Sequence, residues 1–104
     1  MSKEIKKEIN KNISSLSEDF SKKDLLPIIS QIVDGLKMEK LDSMFCFGIY
    51  QLLISKMEDI VELSDVYEQL DKVFLELYIS VFCGCKKPDS KIIDMMKDIE
   101  SGLV

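Results

Sequence analysis

Cys83–Gly84–Cys85, a run of acids between Glu58 and Glu76, and the dipeptide Asp42–Ser43 are the places where this sequence offers reactive groups. A Cys-x-Cys pair is too close for an unstrained disulfide between its own two thiols. It supplies half of a four-ligand zinc site, and the remaining cysteine, Cys46, cannot complete one. Lys86 and Lys87 follow directly and favour a thiolate there. The plain alternative is one thiol packed in a helix and one in the turn that ends it. Paired carboxylates can trade protons, but this sequence gathers no such pair into a cleft. His, Arg, Trp, Thr and Ala are absent. Without His there is no imidazole base, no Ser–His or Cys–His pair and no imidazole ligand. Without Arg there is no bidentate clamp for phosphate or guanine. The reading is therefore of no catalytic residue, no metal, no cofactor and no calcium loop.

Asp42–Ser43–Met44, preceded by Leu41, resembles the Asp-Ser-Leu/Met signature of acyl carrier proteins and is similar to the Leu-Asp-Ser-Met of D-alanyl carrier proteins. The resemblance implies a small acidic helical domain whose Ser43 opens a helix and carries a phosphopantetheine arm. It covers four residues. In those families an irregular loop precedes the serine and the following helix shows acids to solvent. Here the preceding stretch reads as a helix, and Ser43 to Ser55 is a run of thirteen uncharged residues. The alternative is that Asp42 or Ser43 is a helix N-cap.

The acids are unevenly placed. Residues 41–80 hold eight acids and two lysines, whereas 1–40 and 81–104 are nearly balanced. Asp65, Glu68 and Asp71, with Glu62 before them and Glu76 after, recur at spacings that put them on one exposed helical face. Such a face attracts a basic protein partner and speeds its approach; the plain reading is a solvated surface. A net charge of −5 argues against nucleic acid.

What must position these groups is helical throughout. Ile5, Ile9, Ile13, Leu16 and Phe20 form a one-sided stripe and predict a helix over about 3–20. Ser21 or Asp24 starts a second over about 24–38, with Pro27 in its first turn and Gly35 as a weak point. The third, about 42–57, is apolar nearly all round and is predicted as the buried central helix. Gly48 in its middle is read as a place for a neighbouring helix to approach closely. The chain is expected to break at about 61–64, with Ser64 and Asp65 capping a fourth helix. That helix carries the stripe Val66, Tyr67, Leu70, Val73, Phe74, Leu77, Tyr78, Val81 and Phe82, and ends at Gly84. A fifth helix is expected over about 89–101 after Pro88, Asp89 and Ser90.

The fold expected is thus an all-α bundle of four to five mostly antiparallel helices, one domain over residues 1–104. The longest uncharged run is too short for a bilayer, which needs about 20 residues. No basic head with an apolar core opens the chain, so neither a secretory leader nor a membrane span is predicted. An odd cysteine count fits free thiols in a reducing cytoplasm. Missing Ala and Arg hints at an AT-rich bacterial or phage source. The functional expectation is a small non-enzymatic protein-binding domain of inhibitor, immunity or chaperone character. The alternatives are a carrier modified on Ser43 and a homodimeric structural subunit. Methionines and aromatics in excess of a small core's needs point to an adaptable apolar surface beside the fourth helix.

Overall fold

Four amphipathic stripes and one segment apolar nearly all round form five α-helices among the described residues: α1 Ser2–Ser14, α2 Lys22–Lys37, α3 Ser43–Met57, α4 Ser64–Phe82 and α5 Ser90–Leu103. A 3-10 turn, Val61–Leu63, leads into α4. The computed structural model describes residues 2–104. The principal helix contacts run α1 to α2, α2 to α5, α5 to α4, α4 to α3 and α3 to α1. The helices thus close a ring. Its centre is filled by fully buried side chains from every helix, among them Ile9, Ile32, Leu53, Leu70 and Ile92. The radius of gyration is 12.7 Å, against about 13 Å for a compact chain of this length.

α1 is shorter than its stripe. The period continues to Leu16 and Phe20, and Phe20 is buried, yet the helix stops at Ser14. The cause is local: the Ser15 hydroxyl donates to Lys11 O at 2.8 Å and the Leu16 N–H donates to Ile13 O. Serines that satisfy backbone groups in this way favour helix ends and turns. The loop then swings Phe20 back into the core, so the apolar spacing outlives the helix.

α2 begins two residues earlier than expected. The Asp24 carboxylate accepts from the Ser21 N–H at 3.0 Å, reaching back as the acid of a capping box does. Pro27 consequently lies in the second turn, not the first, on an exposed position where water can serve the carbonyl its ring leaves unbonded. The helix ends with the Lys40 N–H on Gly35 O at 2.9 Å and the Glu39 N–H on Leu36 O at 3.1 Å. This is a Schellman ending, with Glu39 in the left-handed region at φ 54°.

The two glycines exchange the roles expected of them. A Cβ on Gly35 would stand 2.8 Å from both Cγ and Cδ1 of Leu41 and 3.2 Å from Cδ1 of Ile5, so this is the close approach. Around Gly48 nothing lies within 4 Å of a Cβ.

α3 contributes the fully buried Tyr50 and Leu53 to the core. Its circumference is not wholly covered, however: Met44 and Leu52 are exposed. The break before α4 falls at the expected place. Leu63, not Ser64 or Asp65, occupies the N-cap, and no side chain caps it. The 3-10 turn makes a cap unnecessary at Ser64, because its N–H already donates to Val61 O.

Candidate functional site

The sequence-predicted sites separate once placed on this frame. Asp42 is the N-cap of α3: its carboxylate accepts from the Phe45 N–H at 3.2 Å and pairs with the Lys6 ammonium at 2.7 Å. Burial raises its pKa, but the hydrogen bonds from Lys6 and Phe45 and the Lys6 charge outweigh this and hold the carboxyl below its usual value. Ser43 is the first helical residue and is 1% exposed. Its N–H donates to Lys86 O at 2.8 Å, while its hydroxyl is buried without a hydrogen-bond partner. That oxygen is not open to solvent in this conformation.

Cys46 lies one turn further along the same inward face. Burial pushes its thiol up to about 12, with the Asp42 charge acting in the same direction. It is a core residue whose thiolate form burial disfavours. Cys83 and Cys85 are both exposed, which corrects the expectation that one of them packs in the helix. The turn between them is a second Schellman ending: Cys85 N–H donates to Ser80 O at 2.9 Å, Gly84 N–H donates to Val81 O at 3.0 Å, and Gly84 has φ 78°. The glycine between the cysteines is therefore favoured by the backbone turn. Among the described residues, no group of three or more Cys, Asp or Glu side chains is gathered to hold a metal ion.

The five acids differ from one another. Asp65 is paired with Lys22 of α2 at 3.0 Å, and Glu76 with Lys91 of α5 at 2.9 Å. The Lys22 hydrogen bond and charge lower the Asp65 pKa, and Glu76 raises that of Lys91. Glu62, Glu68 and Asp71 are exposed and make no ion pair among the described residues. The acidic face thus has three free carboxylates, and two of its members tie helices together.

A different surface emerges below them on α4. Val66, Leu70, Val73 and Leu77 take the buried side of that helix. Leu75, Tyr78, Ile79 and Phe82 are 60%, 44%, 51% and 74% exposed. Phe82 and Tyr78 lean on each other with ring centroids 4.9 Å apart. Tyr78 approaches Phe47 of α3 at 6.1 Å, and Phe47 stacks on Phe74 at 4.9 Å. Aromatic pairs at these separations are attractive beyond their area, so the row has a fixed shape. Met44, 63% exposed, and Val81 line a hollow of about 270 Å³ with Asp42, Gly84, Cys85 and Lys86 at the foot of the row. Tyr78 and Phe82 were expected on the core stripe, whereas the structure turns them outward. Leu75 and Ile79 were not singled out at all. Their signal is present in "VFLELYISVF", residues 73–82, where Glu76 is the one charge: a run this apolar cannot be buried on a single helical side.

A hollow of about 450 Å³ between Leu16, Ser17, Glu18, Ser55, Lys56 and Asp59 is mainly polar, and one of about 360 Å³ before α4 is lined by Met57, Ile60, Val61 and Tyr67 with Glu58, Asp59 and Ser64. No helix of the described residues is long and apolar enough to cross a membrane. No protein-family model, no curated protein and no solved structure matches the chain.

Proposed function

We propose that this chain is a non-enzymatic protein-binding domain that presents the outer α3–α4 face to a protein partner. The observation that carries the reading is the exposed apolar row of Leu75, Tyr78, Ile79 and Phe82 with Met44 beside it. Large apolar patches on a folded surface mark interaction sites more often than isolated exposed residues do. Aromatics and methionine are enriched at interface centres, and charges are held to the rim. Glu62, Glu68 and Asp71 form such a rim toward the start of α4 and favour a partner with basic character on that side. A helix laid along the row fits this surface best, since its anchors recur at three and four. The non-enzymatic part of the reading is supported by the inert thiol of Cys46, the buried hydroxyl of Ser43 and the dispersal of the free acids over an open face.

The test uses the chain as bait with two variants. Leu75→Asp with Phe82→Asp removes the apolar row, and Glu62→Lys with Glu68→Lys and Asp71→Lys reverses the rim. Partners held by the wild type are expected to be lost with the first variant. With the second they are retained but associate more slowly at low salt, because exposed charges act mainly on the association rate. Identical capture by the wild type and the first variant would sink the proposal.

A further inference from the structure

We propose that the partner seated on the α4 face is a second copy of this chain, packed antiparallel about a two-fold axis near Tyr78 and Ile79. This rests on the reading of that face as a protein interface and names its occupant. Three observations carry it. The first is spacing. Leu75, Ile79 and Phe82 stand four and three residues apart on the outer side of α4. That is the seam by which two helices interlock side by side, and a two-fold axis through its middle sets Leu75 of one copy against Phe82 of the other.

The second is area. The row with Met44 exposes on the order of 500 Å² of mostly apolar surface, taking about 200 Å² for a large side chain and the observed exposures. That is at the upper end for the largest patch of a monomer. With its charged rim it approaches the roughly 800 Å² per partner of a standard interface.

The third is charge. Toward the start of α4 the row is bounded by Glu68 and Asp71, which have no ion-pair partner among the described residues. Toward its end it is bounded by Lys86, exposed at the hollow beside Met44; the neighbouring Lys87 is paired with Glu39 at 3.2 Å. Asp71 precedes the midpoint of the seam by roughly 11 Å along the helix, and Lys86 lies past the other end of the helix, beyond the turn at Gly84, where its carbonyl accepts from the Ser43 N–H at 2.8 Å. Antiparallel pairing therefore brings the acidic end of each copy over the basic end of the other, twice per dimer. Parallel pairing would set acids on acids. The surface is self-complementary in one orientation, which is the requirement for a closed two-fold dimer. A dimer of this kind leaves the other faces of both copies open.

Sedimentation velocity and light scattering on the full chain test this. At tens of micromolar the wild type is expected at twice the 12.0 kDa chain mass. Ile79→Asp with Phe82→Asp should be monomeric with an unchanged helical circular-dichroism spectrum, since both side chains are exposed, and should lose the concentration dependence of the wild-type melt. Asp71→Lys should weaken the dimer by about tenfold or more, and adding Lys86→Glu should restore it. In a Cys83→Ser, Cys85→Ser background, Ile79→Cys should oxidise to a covalent dimer, while Ser101→Cys on α5 should not. A wild type that stays monomeric overturns the second-copy inference. If its bait partners are still lost on removing the apolar row, the protein-binding reading survives that failure; if none is lost, both fall. A dimer untouched by Ile79→Asp with Phe82→Asp also overturns the inference, because the interface would then lie elsewhere.

Discussion

Replacing each of two helical glycines with alanine should shift stability in opposite directions. Alanine in a helix interior is favoured over glycine by about 0.8–1.0 kcal/mol, because glycine surrenders more backbone freedom on folding. At Gly48 the added methyl meets nothing within 4 Å, so the whole of that gain is expected. At Gly35 the same gain is opposed. A methyl there would lie 2.8 Å from Cγ of Leu41, a branch point within the buried side chain and not its free end. Relieving the clash must move Leu41 or the backbone of the α2–α3 turn, at about 1–3 kcal/mol for an overpacked core. Gly48→Ala should therefore raise stability by about 1 kcal/mol and Gly35→Ala lower it by about 1 kcal/mol. For a domain of this size that separates the two melting temperatures by roughly 10 °C. Urea melts followed by circular dichroism at 222 nm read both. The clash assigns a further result: Leu41→Ala should cost less in the Gly35→Ala background than in the wild type, since it removes the obstructing atoms. Equal stabilisation by both alanines, or additive behaviour with Leu41→Ala, would refute the account of Gly35 as a packing requirement.

Leu53→Asp should abolish the cooperative melt or soluble expression, because it buries an unpaired carboxylate beside the buried Tyr50 and Met57 at a cost of several kcal/mol, against about 5–15 kcal/mol in total; a wild-type melt would remove α3 from the core. Tyr50→Phe should stabilise by about 1 kcal/mol, since the Tyr50 hydroxyl is buried without a hydrogen-bond partner and desolvation without compensation costs about 1–3 kcal/mol; a clear loss of stability would mean that the hydroxyl is satisfied. Asp42→Asn keeps a capable N-cap but loses the pairing with Lys6. The folded-state pKa of Asp42 is lowered, so its contribution is present above the unfolded-state value and fades as pH falls through the folded one. The wild type should thus exceed the variant slightly at neutral pH, by less than about 1 kcal/mol for so solvent-screened a pair, and the two should converge in acid; a gap that widened below pH 4 would contradict the sign.

The number and placement of the helices were legible because they rest on short-range signals. Asp42, Asp89 and Gly84 are caps where the sequence places caps, with Asp89 accepting from the Ile92 N–H at 3.2 Å. The end of α1 was not legible, since the stripe through Leu16 and Phe20 reports burial, and a loop can bury Phe20 as well as a helix can. Nor were the roles of Gly35 and Gly48, which depend on what stands opposite each. The acids illustrate the same limit. Asp65 and Glu76 look identical to Asp71 in sequence, but Lys22 and Lys91 reach them from other helices, and only the ring of packed helices decides which carboxylates stay free.

The end of α4 joins these observations. Asp65 lies in the first turn of that helix, where a negative charge meets the positive end of the macrodipole, and no basic residue lies in the last turn. A helix ending at a solvent face gains from Lys there, and this chain has fourteen lysines, two of them directly beyond the turn at Gly84. The last turn instead holds Ile79 and Phe82, more than half exposed, with Tyr78 just before them. Those side chains contribute little to the core of their own molecule, and exposing them to water gives up about 25 cal/mol for each Å² that burial would recover. Folding alone therefore does not account for them. The proposed second copy, turned through half a circle, covers the row and sets Glu68 and Asp71 of one chain toward Lys86 of the other.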